Sequence, residues 1–180
     1  MMALTGSVSI EWGAHMGHIL KSVLAAAVAM AGAAQAQNIG AVTAEELEAA
    51  LAEAGLNPTM LEDAATGAPV ANGKAGEFNF FVRALDCAGE PPACQTLMFF
   101  ANFPLGRAPT AKDLRITDDF RDGQVFGRAY VLESKNEVGV DYVIELGGGV
   151  SKEHLAQNIG RWADVIAAFV SKFQEGYESS

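Results

Sequence analysis

Histidine and cysteine are scarce in this chain, with three and two copies in 180 residues. His15 and His18 fall in a leader-like N-terminus, so His154 alone remains for the folded part. Structural zinc takes four ligands, and one histidine with two cysteines does not make such a set. Cys87 and Cys94 are also too widely spaced for a CxxC redox pair. Any nucleophile–histidine pair would have to use His154, in the first turn of a helix, where plain exposure is the default. No catalytic residue and no metal ligand set is assigned, and no cofactor is implied.

Positive charge is scarce as well: 12 Lys and Arg stand against 22 Asp and Glu, a formal net charge of -10. Nucleic-acid phosphates and anionic membranes would both be repelled by such a surface. The charge serves solubility. Apolar runs are short. Val23 to Ala34 is alanine-rich and falls below the roughly 20 strongly apolar residues that a spanning helix prefers. Behind Lys21 and ahead of Ala34-Gln35-Ala36, it has the pattern of a cleavable export signal. Small side chains at Ala34 and Ala36 place the cut before Gln37, and no lipobox cysteine lies near it. Residues 1–36 are therefore read as the signal region, with Met16 the natural start because residues 1–15 carry Glu11 and Trp12 but no Lys or Arg. Glu11 and Lys21 are the charges lost on cleavage, so residues 37–180 keep the net charge of -10. The product is expected to be periplasmic or secreted, a single domain without membrane attachment. In that oxidising compartment an even cysteine count points to a Cys87–Cys94 disulfide.

Along residues 37–180 the periodicities define an α+β fold. Thr43-Ala-Glu-Glu46 is a capping box, and the helix behind it carries Leu47, Ala50, Leu51 and Ala54 on one stripe before Gly55. Thr59 to Ala65 is a short strand, and Ala71-Asn72-Gly73-Lys74 has the sequence of a hairpin turn. Alternation marks strands at Phe78 to Leu85 and Thr96 to Phe103, an antiparallel pair with the cysteines clamping the connecting loop. A short helix or crossover is expected over Thr110 to Arg121, then strands at Val125 to Leu132 and Val138 to Leu146 around the polar turn Glu133 to Asn136. Ser151 is a good N-cap for a final helix striped by Leu155, Ile159, Trp162, Ile166, Phe169 and Phe173. The other aromatics, Phe80, Phe99, Phe103, Tyr130 and Tyr142, follow the buried periodicities and are read as core.

Two polar features have the residue types of a binding site. Asp118, Asp119 and Asp122 fail the calcium-loop pattern, because Phe120 and Ala129 stand where ligands belong, and read as a solvated turn. Gly147-Gly148-Gly149 followed by Ser151 and Lys152 lacks the spacing of a phosphate loop. Its backbone amides could still hold a small anion, with Gly148, Gly149, Ser151 and Arg128 (or Lys152) as candidates.

The stretch Asp86 to Phe173 resembles the YbjN-like domain family, grouped in bacteria as sensory transduction regulators. The matching features are Asp86-Cys87 and Cys94 between strands with Phe99 and Phe103, then Phe126-Gly-Arg-Ala-Tyr130, Gly148-Gly-Val-Ser151, and a helix with Trp162 and Phe169. The helix from Thr43 to Gly55 occupies the place of the family's first helix. Where members often carry an Asn-x-Trp-Asn-like segment, this chain reads Ile116 to Asp122. The resemblance implies a fold similar to type III secretion chaperones, an antiparallel sheet packed by an N-terminal and a C-terminal helix. It also implies action by binding a protein partner or a second copy as a homodimer, with no catalytic residues. The expected function is thus an exported, non-enzymatic interaction module for protein binding or envelope regulation; the alternative is a periplasmic small-molecule or anion binder. An open sheet face would favour the first, and a closed pocket with converging polar groups the second.

Overall fold

The computed structural model describes residues 38–178, so the expected export signal and its expected cleavage site lie outside the described residues. Eight strands and three helices follow one another: β1 (Asn38–Ile39), α1 (Ala44–Glu53), β2 (Thr59–Glu62), β3 (Pro69–Ala75), β4 (Phe78–Ala88), β5 (Ala93–Pro104), α2 (Ala111–Gly123), β6 (Arg128–Leu132), β7 (Glu137–Glu145), β8 (Val150–Ser151) and α3 (Lys152–Glu178). Six of the strands form one antiparallel sheet in the order β2-β3-β4-β5-β7-β6, and β1 pairs with β8 in a short separate ribbon. This is the α+β, antiparallel architecture expected from the periodicities. Among the described residues no helix is long and apolar enough to cross a membrane.

One face of the sheet is core. Successive side chains of a strand point to opposite faces, and here Phe80, Val82 and Ala84 of β4 line up with Leu97, Phe99 and Ala101 of β5 and with Val140, Tyr142 and Ile144 of β7. The stripe of α3 fills the space above them. Trp162 is fully buried, with its ring centroid 6.0 Å from Phe80 and 5.8 Å from Phe99. Phe169 meets Phe103 and Phe120, each at 5.5 Å, and so ties α3 to β5 and α2. Phe173, at the end of the stripe, is only half-buried. From α1, Leu47 and Leu51 reach the same core. Thr43 caps that helix as its sequence demands: its Oγ1 accepts from the Glu46 amide at 3.3 Å, while Glu46 accepts from the Thr43 amide at 2.8 Å.

Several local expectations are corrected. Asn72-Gly73 is not a turn but the middle of β3, and the turn falls at Gly76-Glu77 between Ala75 and Phe78. Gly73 is needed for another reason. A Cβ there would lie 2.8 Å from the ring of Phe80, its cross-strand partner. Gly76, at φ +60, takes the first central position that glycine holds in a II′ hairpin. The cysteines are not across a loop but within the ladder, where Cys87 faces Cys94 and pairing continues to Ala88 and Ala93. Their sulfurs are bonded. Asp118, Asp119 and Asp122 ride on α2 rather than in a turn, with Asp118 paired to Arg121 and Asp119 3.9 Å from Lys172. The strand expected from Val125 begins only at Arg128, because Gly127 takes φ +85 and turns the chain. Tyr130 is not in the core. It lies on the opposite face over Gly139, and its hydroxyl donates to Asn102 at 2.6 Å.

Candidate functional site

The second face of the sheet carries no helix. Its rows follow from the register: Leu61, Val70, Arg83, Met98 and Val143 lie side by side across five strands, flanked by Asn72, Phe81, Phe100 and Asp141 on one side and by Leu85, Thr96 and Glu145 on the other. Phe81 stacks on Phe100 with 5.6 Å between centroids. Leu61 is 47% exposed, Val143 46%, Leu85 37% and Phe81 36%. A single exposed leucine needs no explanation, whereas four large apolar residues in neighbouring rows form a patch of the kind that marks an interaction surface.

Charge on this face is mostly paired internally. Arg83 donates to Asp63 at 2.9 Å, and Arg128 reaches Asp141 through Nε and Nη2, the shortest contact being 2.5 Å. Asp63 is held down to about 2 by Arg83 first, then by the Ala65 amide and by the hydroxyl and amide of Thr66. Asp141 and Tyr130 flank each other near β6, and burial above all pushes the Tyr130 phenol up to about 12. Thr96 donates toward both Asp86, at 2.8 Å, and Glu145, at 3.0 Å.

The residues proposed for an anion do not converge. Gly148 and Gly149 form the turn after β7, with φ +83 and +92, and Ser151 lies two residues on, its Oγ accepting the His154 amide at 3.1 Å as an N-cap. Arg128 stands on β6 opposite Asp141, in a cleft that contains none of the three. Lys152 is paired with Glu53 at 2.9 Å, beside an apolar cleft of about 200 Å³ between α1 and α3. The polar groups around that cleft are engaged with one another: Glu53 with Lys152, and Glu46 with the Thr43 amide. Exposed His154 contributes its amide to the cap. Among the described residues no group of three His, Cys, Asp or Glu side chains could hold a metal ion.

Two constellations escaped the sequence reading. Asp113, in the first turn of α2, is fully buried and accepts from Arg107 at 2.7 and 3.0 Å, from the Thr110 amide and hydroxyl at 2.7 Å each, and from the Tyr177 hydroxyl. The Arg107 guanidinium, ahead of Tyr177 and Thr110, holds this carboxyl far below its ordinary value despite burial. Arg161 on α3 donates to Asn158 at 2.7 Å and to the Tyr142 hydroxyl at 3.3 Å, and its guanidinium lies 4.1 Å over the ring of Phe126. Neither could be read whole from spacing, because Tyr177 reaches Asp113 from 64 residues away and Phe126 meets Arg161 only through the fold. The open face did leave a signal: Phe81 and Leu85 make β4 apolar at odd positions as well as even ones.

A search of curated protein sequences finds no match. Among solved structures, the chain is similar to the crystal structure of YbjN from E. coli, described as "a putative transcription regulator", at 16% identity and a TM-score of 0.44, covering 68% of this chain and 87% of that one. The model of the YbjN family, described as "putative bacterial sensory transduction regulator", matches residues 43–175, from the N-cap of α1 to near the end of α3, and the chain belongs to that family.

Proposed function

We propose that this protein is an exported binding module that works by holding a protein partner on the helix-free face of its sheet, without catalysis. The observation that carries this reading is the row Leu61, Val70, Arg83, Met98 and Val143 beside the Phe81–Phe100 stack, open to solvent where the opposite face is closed by helices. Seven residues along each of the four central strands β3, β4, β5 and β7, at about 4.8 Å between strands and about 3.3 Å per residue, present roughly 450 Å². That is of the same order as the about 800 Å² that each partner contributes to a standard protein interface. The paired charges of Arg83 with Asp63 and Arg128 with Asp141 let an apolar partner surface approach a chain of net charge -10 without meeting unpaired acids at the centre. The family's description as a regulator fits an activity exercised by binding. Export rests on the apolar run behind Lys21 and the Ala34-Gln35-Ala36 pattern.

Phe81→Glu combined with Leu85→Lys tests it. Both side chains point to solvent, so the double variant is expected to keep the melting temperature of the parent within a few degrees. It is also expected to fail to complement a deletion of the gene, reproducing whatever phenotype that deletion produces. Full complementation by the folded double variant contradicts the reading.

A further inference from the structure

Strand β7 outruns the strand that borders it. β6 pairs only as far as Arg128 opposite Asp141, whereas β7 continues to Glu145. In an antiparallel ladder, residues that bond to one neighbour alternate with residues that bond to the other. The Leu146 amide donates to the Gln95 carbonyl at 2.7 Å, so the even residues of β7 bond toward β5. Val143 and Glu145 therefore turn their amides and carbonyls to the other side, where β6 has ended. Among the described residues no backbone group meets them there. The notch is a cleft of about 400 Å³ lined by Met98, Gly127, Arg128, Asp141, Tyr142 and Val143, continuous with the open face.

Tyr142, which lines this notch, meets a positioned positive charge on the helix side of the sheet, where its hydroxyl accepts from Arg161. Arg161 is fixed by Asn158, by the Tyr142 hydroxyl and by the ring of Phe126, and Phe126 in turn meets Tyr142 edge to face at 6.3 Å. Arg83, Arg107, Arg121 and Arg128 each have a carboxylate partner; among the described residues Arg161 and the exposed Arg115 have none, and of these two Arg161 is the one held by neutral groups. A guanidinium held by neutral groups, with its fork already oriented, is suited to receive a carboxylate.

We infer that an extended segment of the partner protein adds to the sheet at this edge, bonding to the backbone of Val143 and Glu145 and setting an aspartate or glutamate against Arg161. The inference rests on the reading of the domain as a protein-binding module and names the element through which the partner is gripped. Strand addition draws affinity from main-chain bonds and specificity from alternate side chains. The side chains of such a strand that point to the helix-free face would lie beside Val143, Asp141 and Glu145, where an apolar or β-branched residue fits and an acid would meet like charge. An acid is accommodated only on the helix side. The recognised pattern is thus an acidic residue flanked on both sides by apolar ones.

The probe is a phage-displayed library of random twelve-residue peptides panned against the full chain. Selected peptides are expected to carry Asp or Glu between β-branched or aromatic residues. A synthetic copy should lose affinity at least tenfold on Arg161→Gln, and binding should slow amide exchange at Val143 and Glu145. Val143→Pro removes an N–H that no internal bond uses, so it should leave the fold intact by circular dichroism and abolish binding; Arg161→Gln tests the same edge independently of it. Binders indifferent to both substitutions, or a library that yields none, overturn the inference. If the binders depend instead on Phe81 and Leu85, the edge is wrong while the open-face reading stands.

Discussion

Tyr177, near the end of α3, donates its hydroxyl to the carboxylate of Asp113, 64 residues earlier in the first turn of α2. Arg107 completes the cluster from the loop between β5 and α2, so one buried acid holds three chain segments together. Removing the charge from such a site strands its partners. Asp113→Asn is expected to cost about 3 kcal/mol at neutral pH, read from urea melts. The Asp113 carboxyl is held below its unfolded value, chiefly by Arg107. Its stabilisation is therefore complete above about pH 4 and is lost as pH falls toward the folded value. The difference between parent and variant should narrow between pH 4 and pH 2. A difference that stays constant from pH 7 to pH 2 contradicts this assignment.

The stripe on α3 is core and not interface. Trp162 and Phe169 are 0% and 1% exposed, and truncating either to alanine should cost about 3–5 kcal/mol. That loss should not depend on protein concentration in denaturant melts. Alanine at Glu153, Gln157 or Asp164, all exposed, should change stability by about 0.5 kcal/mol or less. The Trp162 indole N–H is buried with no acceptor among the described residues. Trp162→Phe removes that unsatisfied donor along with some volume, and should cost clearly less than Trp162→Ala.

The Cys87–Cys94 bridge closes a ring of only eight residues, for which chain entropy gives about 2.5 kcal/mol. The residues around it stay paired in the β4–β5 ladder without the bond. Replacing both cysteines with serine should lower stability by about 1–3 kcal/mol and leave the fold intact. Thiol labelling of unreduced, denatured protein should find no free sulfhydryl; stoichiometric labelling contradicts it.

Export makes its own prediction. Intact-mass measurement of protein recovered from the periplasm should give a chain beginning at Gln37. A membrane-bound product that retains residues 16–36 contradicts the signal reading.

The sequence shows most clearly those elements whose periodicity is decided by one neighbour. Each strand that lines the core alternates against α3, and the α3 stripe repeats at spacings of three and four, so both were legible. The misread segments are those where tertiary contact overrides local chemistry. Asn72-Gly73 has the residues of a hairpin turn, yet Gly73 is there to clear the ring of Phe80. Gly127 sits where a strand was expected because a Cβ would meet Val165 at 2.6 Å and the chain must turn. That turn carries Phe126 to Arg161, a meeting that no local pattern announces. For the same reason the Asp113 cluster was not legible as a whole, since Tyr177 joins Asp113 and Arg107 only when α2 and α3 pack. The open face lay between these extremes. Its apolar residues were visible at alternate positions, but which face the helices would cover was decided by the packing of Trp162 and Phe169.

The most direct measurement is site-specific photo-crosslinking in cells, with a benzophenone side chain placed at Phe81 on the open face or at Gln157 on the exposed side of α3. The account predicts a discrete product of higher mass from position 81 and none from position 157. Crosslinks at 157 with none at 81 would contradict it.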